Sequence, residues 1–222
     1  MSFLINPHRF AVPSFPVVES VTGQSFPSNA TSFNVDLPAS VVGDLLLLHL
    51  AVLDSGTITG PEGWTNVRSP SSVNIFTAKI ANGTEGGTSA TINKTSTSTT
   101  AASQIIRVSN WSGNLADIEN VASSTLTNTA IFNPPNLAPS YGAGATLWIA
   151  ACWAQFAGRP ITTYPDDTIN QNAQNDGSAD SRCEVACATR ELNASSWDPT
   201  AFAASGTQNF AIAYTFAIKA AS

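Results

Sequence analysis

The sequence predicts an all-β protein: an antiparallel, jelly-roll-like β-sandwich built from two sequence-similar halves and preceded by an extended N-terminal arm. Three features carry this. The first is the run Leu45-Leu46-Leu47-Leu48-His49-Leu50-Ala51-Val52-Leu53 between Asp44 and Asp54. It is far short of the ~20 apolar residues of a membrane-spanning helix. A strand covered on both faces loses the polar/apolar alternation, because neither side meets water. Gly43 before the run, and Ser55-Gly56 with Gly60-Pro61 after it, are turn chemistry with no helix cap. The second feature is clean alternation elsewhere, as in Phe33, Val35 and Leu37. The third is an echo: the order of segments repeats roughly a hundred residues later, as in a chain made of duplicated units.

Residues 1–16 carry Pro7, Pro13 and Pro16, which remove backbone donors and push their predecessors toward extended conformations. Phe3, Leu4, Ile5, Phe10, Val12 and Phe15 make this arm too apolar to leave in water, since each buried one contributes ~1.5–3 kcal/mol. It must lie on its own sandwich or on a neighbouring subunit. Residues 17–222 form a single sandwich domain, with halves at about 17–113 and 114–222. In the first half, strands are expected at Val17 to Val21, Thr31 to Leu37, Asp44 to Asp54, Val73 to Ile80, Thr88 to Lys94 and Ser103 to Val108. In the second half, Thr127 to Phe132, Gly144 to Trp153, Arg182 to Arg190 and Gln208 to Ile218 take the corresponding places. Asn170 to Asp180, dominated by Asp, Asn, Gln and Gly, is expected to be an exposed loop. Asp198-Pro199 offers an N-cap and a first-turn proline, which predicts one helical turn through Ala203.

Composition narrows the function. Charged residues make up 11% of the chain against a usual ~25%, and 43% are hydrophobic, which excludes a disordered chain. The net charge of -6 with nine Lys+Arg leaves no basic stripe to neutralise phosphates, so nucleic acid is disfavoured as a partner. Nor is any membrane segment or secretory leader evident from Met1 to Phe10, which points to synthesis in a cytoplasm. Cys152, Cys183 and Cys187 form no CxxC pair and signal neither a disulfide framework nor zinc. Cys183 and Cys187 on one strand stand ~13 Å apart, too far to bridge, while a bridge from Cys152 to either stays open.

Catalytic chemistry is not announced. His49 lies inside an apolar strand and reads as a satisfied core histidine; there is no G-x-S-x-G, and Gly83 to Gly87 lacks the Lys-Ser/Thr of a phosphate loop. Asp166, Asp167, Asp176 and Asp180 lack the ordered pattern of a calcium loop and read as solvated loop acids. No cofactor, metal site or catalytic residue is therefore assigned. Trp148 and Trp153 fall in a core strand; Trp64, Trp111 and Trp197 fall at loops or strand ends, where they either plug the sandwich ends or contact a partner.

Gly43-Asp44-Leu45-Leu46-Leu47 followed by Pro61-Glu62-Gly63-Trp64 resembles a GDLL…PxGW pattern of tailed-bacteriophage virion proteins. The start Asn6-Pro7-His8-Arg9-Phe10, the segment Arg190 to Ser195 with Asp198-Pro199, and the closing strand Phe210 to Lys219 are similar to the same proteins, except that His8 stands where the pattern has an aromatic. The resemblance spans nearly the whole chain. It implies a non-enzymatic structural protein of the virion, assembled in the host cytoplasm. Capsid decoration (cement) is the role expected first, with the major capsid protein and copies of the chain itself, in a homo-oligomer such as a trimer, as partners. The arm would carry the contact. The alternative is a tail-fibre or host-recognition adhesin whose loop aromatics bind surface carbohydrate; a carbohydrate-active enzyme comes third.

Overall fold

In a computed structural model of the chain, residues 14–69, 71–155, 158–178 and 183–221 are described; the arm residues Phe3, Leu4, Ile5, Phe10 and Val12 lie outside them. The protein is almost entirely antiparallel β-structure, as the pattern predicts. The first half contains β1 (Val17–Phe26), β2 (Ala30–Asp36), β3 (Leu45–Val52), β4 (Ile58–Thr59), β5 (Thr65–Asn66), β6 (Asn74–Ile80), β7 (Ser89–Ser98) and β8 (Ala101–Ser109). After a 3-10 turn at Leu115–Asp117, the second half contains β9 (Ile118–Ala122), β10 (Leu126–Phe132), β11 (Gly144–Gln155), β12 (Ile161–Thr163), β13 (Ile169–Asn175), β14 (Cys183–Ala194) and β15 (Phe202–Lys219).

Strand order explains the burial. One sheet runs β1-β8-β3-β6-β5, with a three-stranded sheet β2-β7-β4 against its outer face. The second half runs β9-β15-β11-β14-β13, and the front of β15 also pairs with β10 and β12. All eight residues of β3 are buried. Leu46, Leu48, Leu50 and Val52 point into the first half's own core with Phe33, Val35 and Ile92. Leu45 and Leu47 point the other way, into a core shared with Leu147, Ile149, Phe216 and Ile218 of the second half. Trp148, Ala150 and Cys152 then pack outward on Phe132 and Phe202. Two small sandwiches therefore stand back to back, which is why β3 and β11 lose alternation while β7 keeps it. For the same reason β6, expected to alternate, is buried over most of its length.

The halves also share an irregularity. Phe33 pairs with Ile92 and Phe132 with Phe202, and in both outer pairs the register then slips, between Ala30 and Ser32 and between Thr129 and Ile131. The looped-out backbone needs partners. In the first half Lys94 supplies them, its Nζ donating to the Ser55 carbonyl (3.0 Å), the Ser96 carbonyl (3.0 Å) and Ser96 Oγ (2.7 Å). In the second, Gln208 Nε2 donates to the carbonyls of Arg159 (2.9 Å) and Gly206 (3.0 Å).

Several expectations are corrected. Asn170 to Asp180 is not an exposed loop: most of its described part is β13, paired with β14 from Ile169↔Thr189 to Asn175↔Glu184. Its polar side chains are used across the seam between the halves, Gln104 Nε2 donating to Asn172 Oδ1 (2.7 Å) and Gln174 Nε2 to Ser25 Oγ (2.6 Å). No helical turn forms after Pro199; Phe202 already begins β15, because its ring belongs in the core with Phe132. His49 is buried and stacked on Phe76 at 3.9 Å, yet neither ring nitrogen has a hydrogen-bond partner among the described residues, so it is a core histidine but not a satisfied one.

Candidate interaction surfaces

The strands place two distinct surfaces at opposite ends of the shared core. At the end where β3 begins, the described chain enters at Ser14. Asn110, in the left-handed region (φ 55°), donates from Nδ2 to Ser14 Oγ (2.5 Å) and to the Phe15 carbonyl (2.7 Å), which fixes the root of the arm. Phe15 is half-buried there. Next to β3, the turn Val41–Asp44 is held by the Asp44 carboxylate, which accepts from Val41 N–H (2.9 Å) and from Arg107 Nε (2.6 Å). That geometry turns Val41 and Val42 outward, 61% and 73% exposed, beside the exposed Ile80. The neighbouring loop is anchored by Glu85, which accepts from the N–H groups of Asn82 and Gly83 and from Ser40, and pairs with Lys79 at 3.0 Å. Burial works against its charge, but these donors hold its carboxyl down at about 2.

The other end lies where β3 and β11 finish, and there the two sides of the seam differ. On one side Asp176, fully buried, accepts from Thr100 Oγ1 (2.7 Å), Cys183 N–H (2.9 Å) and Ser178 N–H (2.9 Å), and closes the gap between the halves. On the other side the place of Thr100 falls to Phe210: each stands just before the alanine that pairs inward to the end of the central strand, Ala101 to Val52 and Ala211 to Ala154. Phe210 is 44% exposed and lines a cleft of about 460 Å³ with Trp153 beneath it and Asp54 on its rim.

The predicted residues separate accordingly. Trp111 is a plug: it is buried, and its Nε1–H donates to the Gly43 carbonyl at 2.8 Å. Trp197 is buried 6.0 Å from Trp148. Trp64 is half-buried against the first-half core. None of the three lines the cleft; Phe210 does, a residue that the sequence marks only as part of the closing strand. All three cysteines are free and buried, so no bridge from Cys152 forms, and burial raises the thiols of Cys183 and Cys187 to about 12. Asp176 is a buried structural acid, not a solvated one, whereas Asp167 is exposed, 3.7 Å from Arg190. Among the described residues no group of His, Cys, Asp or Glu is arranged to hold a metal ion, and no helix is long and apolar enough to cross a membrane.

One more ionisable group sits inside the second half. Glu184 is buried beside Cys152, accepts from Ile161 N–H (3.0 Å), and burial raises its carboxyl to about 7. No family profile, curated protein or solved structure matches the chain.

Proposed function

We propose that the protein is a non-enzymatic structural component of a tailed-phage virion that decorates the capsid, binding the major capsid protein and further copies of itself. The observation that carries this is the end at which the arm is rooted. Val41, Val42 and Ile80 are left exposed at that end, the same end of the shared core at which Asn110 holds Ser14 and Phe15, where the described chain begins after the apolar segment 1–13. Clustered exposed apolar residues mark contact surfaces. A back-to-back pair of sandwiches with a continuous shared core suits a clamp, since it transmits load without rearranging. Cementing then follows from contacts of ~1,600 Å² repeated over many copies, so that modest affinities add.

Quantitative mass spectrometry of the particle whose genome encodes the chain tests this. Hundreds of copies fractionating with heads are expected. A handful of copies with the tail would replace decoration by the alternative, a tail-fibre or host-recognition adhesin, which draws its support from the cleft at the opposite end. Absence from the particle would remove both roles.

A further inference from the structure

The cleft at the open side of the seam is more than a packing defect. Its volume of about 460 Å³ lies within the ~300–1,000 Å³ of small-molecule sites. Ser55 and Ser72 are shared with an adjoining depression of about 580 Å³, so the groove is long enough for more than one ring. Its floor is apolar and aromatic, from Trp153, Phe210 and Ile212. The rim offers hydroxyl, amide and carboxylate groups from Ser72, Gln155 and Asp54, and no lining residue carries a positive charge. Asp54 is already oriented, its Oδ2 accepting from Thr99 N–H and Oγ1, each at 2.6 Å.

The quasi-equivalent side of the seam shows that folding does not require this shape. There a threonine and a buried aspartate shut the gap. Here the chain instead exposes a phenylalanine, which folding alone gains nothing by leaving in water. A flat apolar ring beside uncharged and acidic hydrogen-bonding groups fits a ligand with one apolar face and a girdle of hydroxyls. Anions are disfavoured because Asp54 is the charged group in the lining, while the neighbouring cation, Lys94, is buried behind the wall with its Nζ bonded to the Ser55 carbonyl.

We propose that this cleft binds a neutral hexopyranose oligosaccharide, one sugar ring lying on Phe210 and its hydroxyls meeting Asp54, Ser72 and Gln155. The site is independent of the decoration role: copy number in a particle does not bear on it, and its failure leaves decoration untouched while removing the support for the adhesin alternative.

Saturation-transfer NMR on the full chain tests it, with maltotetraose, cellotetraose and chitotetraose as neutral probes and an oligogalacturonate as the anionic one, at millimolar concentration. Transfer to at least one neutral tetraose is expected, with none to the anionic probe. Phe210→Ala should weaken binding about tenfold. Ser72→Trp, which fills the cleft from an exposed position and keeps Phe210, should abolish it; Ser72→Trp should keep the parent's thermal unfolding midpoint and Phe210→Ala should lower it by no more than about 2 °C. The proposal is overturned by absence of transfer to every neutral probe, by transfer to the anionic probe alone, or by binding that survives both substitutions.

Discussion

The two sides of the seam between the halves begin from the same backbone plan and end differently. On one, Thr100 and Asp176 complete a buried hydrogen-bonded closure; on the other, Phe210 stands over an open cleft. Strand order, register slip and inward-facing positions are shared; the difference lies in the edge strands and what fills the gap beside them, β13 running seven residues along the closed side where β5 has two along the open one. It teaches that one side is spent on stability and the other is free to serve contact.

Paired substitutions break or sharpen this comparison. Asp176→Ala should have the largest effect, about 3 kcal/mol lost in urea unfolding, because it strands the buried donors of Thr100 and Cys183. Phe210→Ala on the open side should cost well under that, ~0.5 kcal/mol. Equal losses would mean that both sides are structural.

Two buried ionisable groups, one in each half, give opposed pH slopes. Burial holds His49 at about 3, below its ordinary 6.5, so the unfolded chain takes a proton that the folded one refuses. That contribution falls as pH drops below 6.5, by about 2 kcal/mol at pH 5. Glu184, raised to about 7 by burial, does the reverse: the folded state takes the proton first, and stability rises by about 2 kcal/mol as pH falls from 7 to 5. These two terms cancel over that range. His49→Leu should therefore make the protein more stable at pH 5 than at pH 7, and Glu184→Gln should make it less stable there. Urea midpoints at the two pH values read both; parallel shifts in the two variants would contradict the assignment.

The two bulges should differ in a smaller way. Lys94 holds its loop through three hydrogen bonds from one charged group, so Lys94→Ala should cost about 2 kcal/mol, and Gln208→Ala, which loses two neutral ones, about 1 kcal/mol. Amide exchange of residues 94–98 and 204–208 should rise in the corresponding variant only.

Much of the fold was legible because burial leaves a pattern. The leucine run of β3 could only be covered on both faces, and the echo at Gly144 to Trp153 marked its counterpart. β13 was hidden by its composition: a polar edge strand bonds through its backbone, and the Asn and Gln side chains that suggested a loop serve to tie it to Gln104 and Ser25. Trp111 and Trp197 sit near strand ends, where sequence does not distinguish a plug from a contact; the Gly43 carbonyl and Trp148 make the distinction in space. The cleft left no trace in the sequence. Phe210 and Ile212 look like any alternating strand residues, and only the packing of one half against the other brings Asp54 and Ser72 opposite them.

The capsid role is most directly tested by mixing the purified protein with heads that lack it and sedimenting them. The full chain should co-sediment at saturating, capsid-scale stoichiometry, and a chain beginning at Ser14 should stay in the supernatant while keeping the same unfolding midpoint. Equal binding by both chains, or binding by neither, would contradict the account.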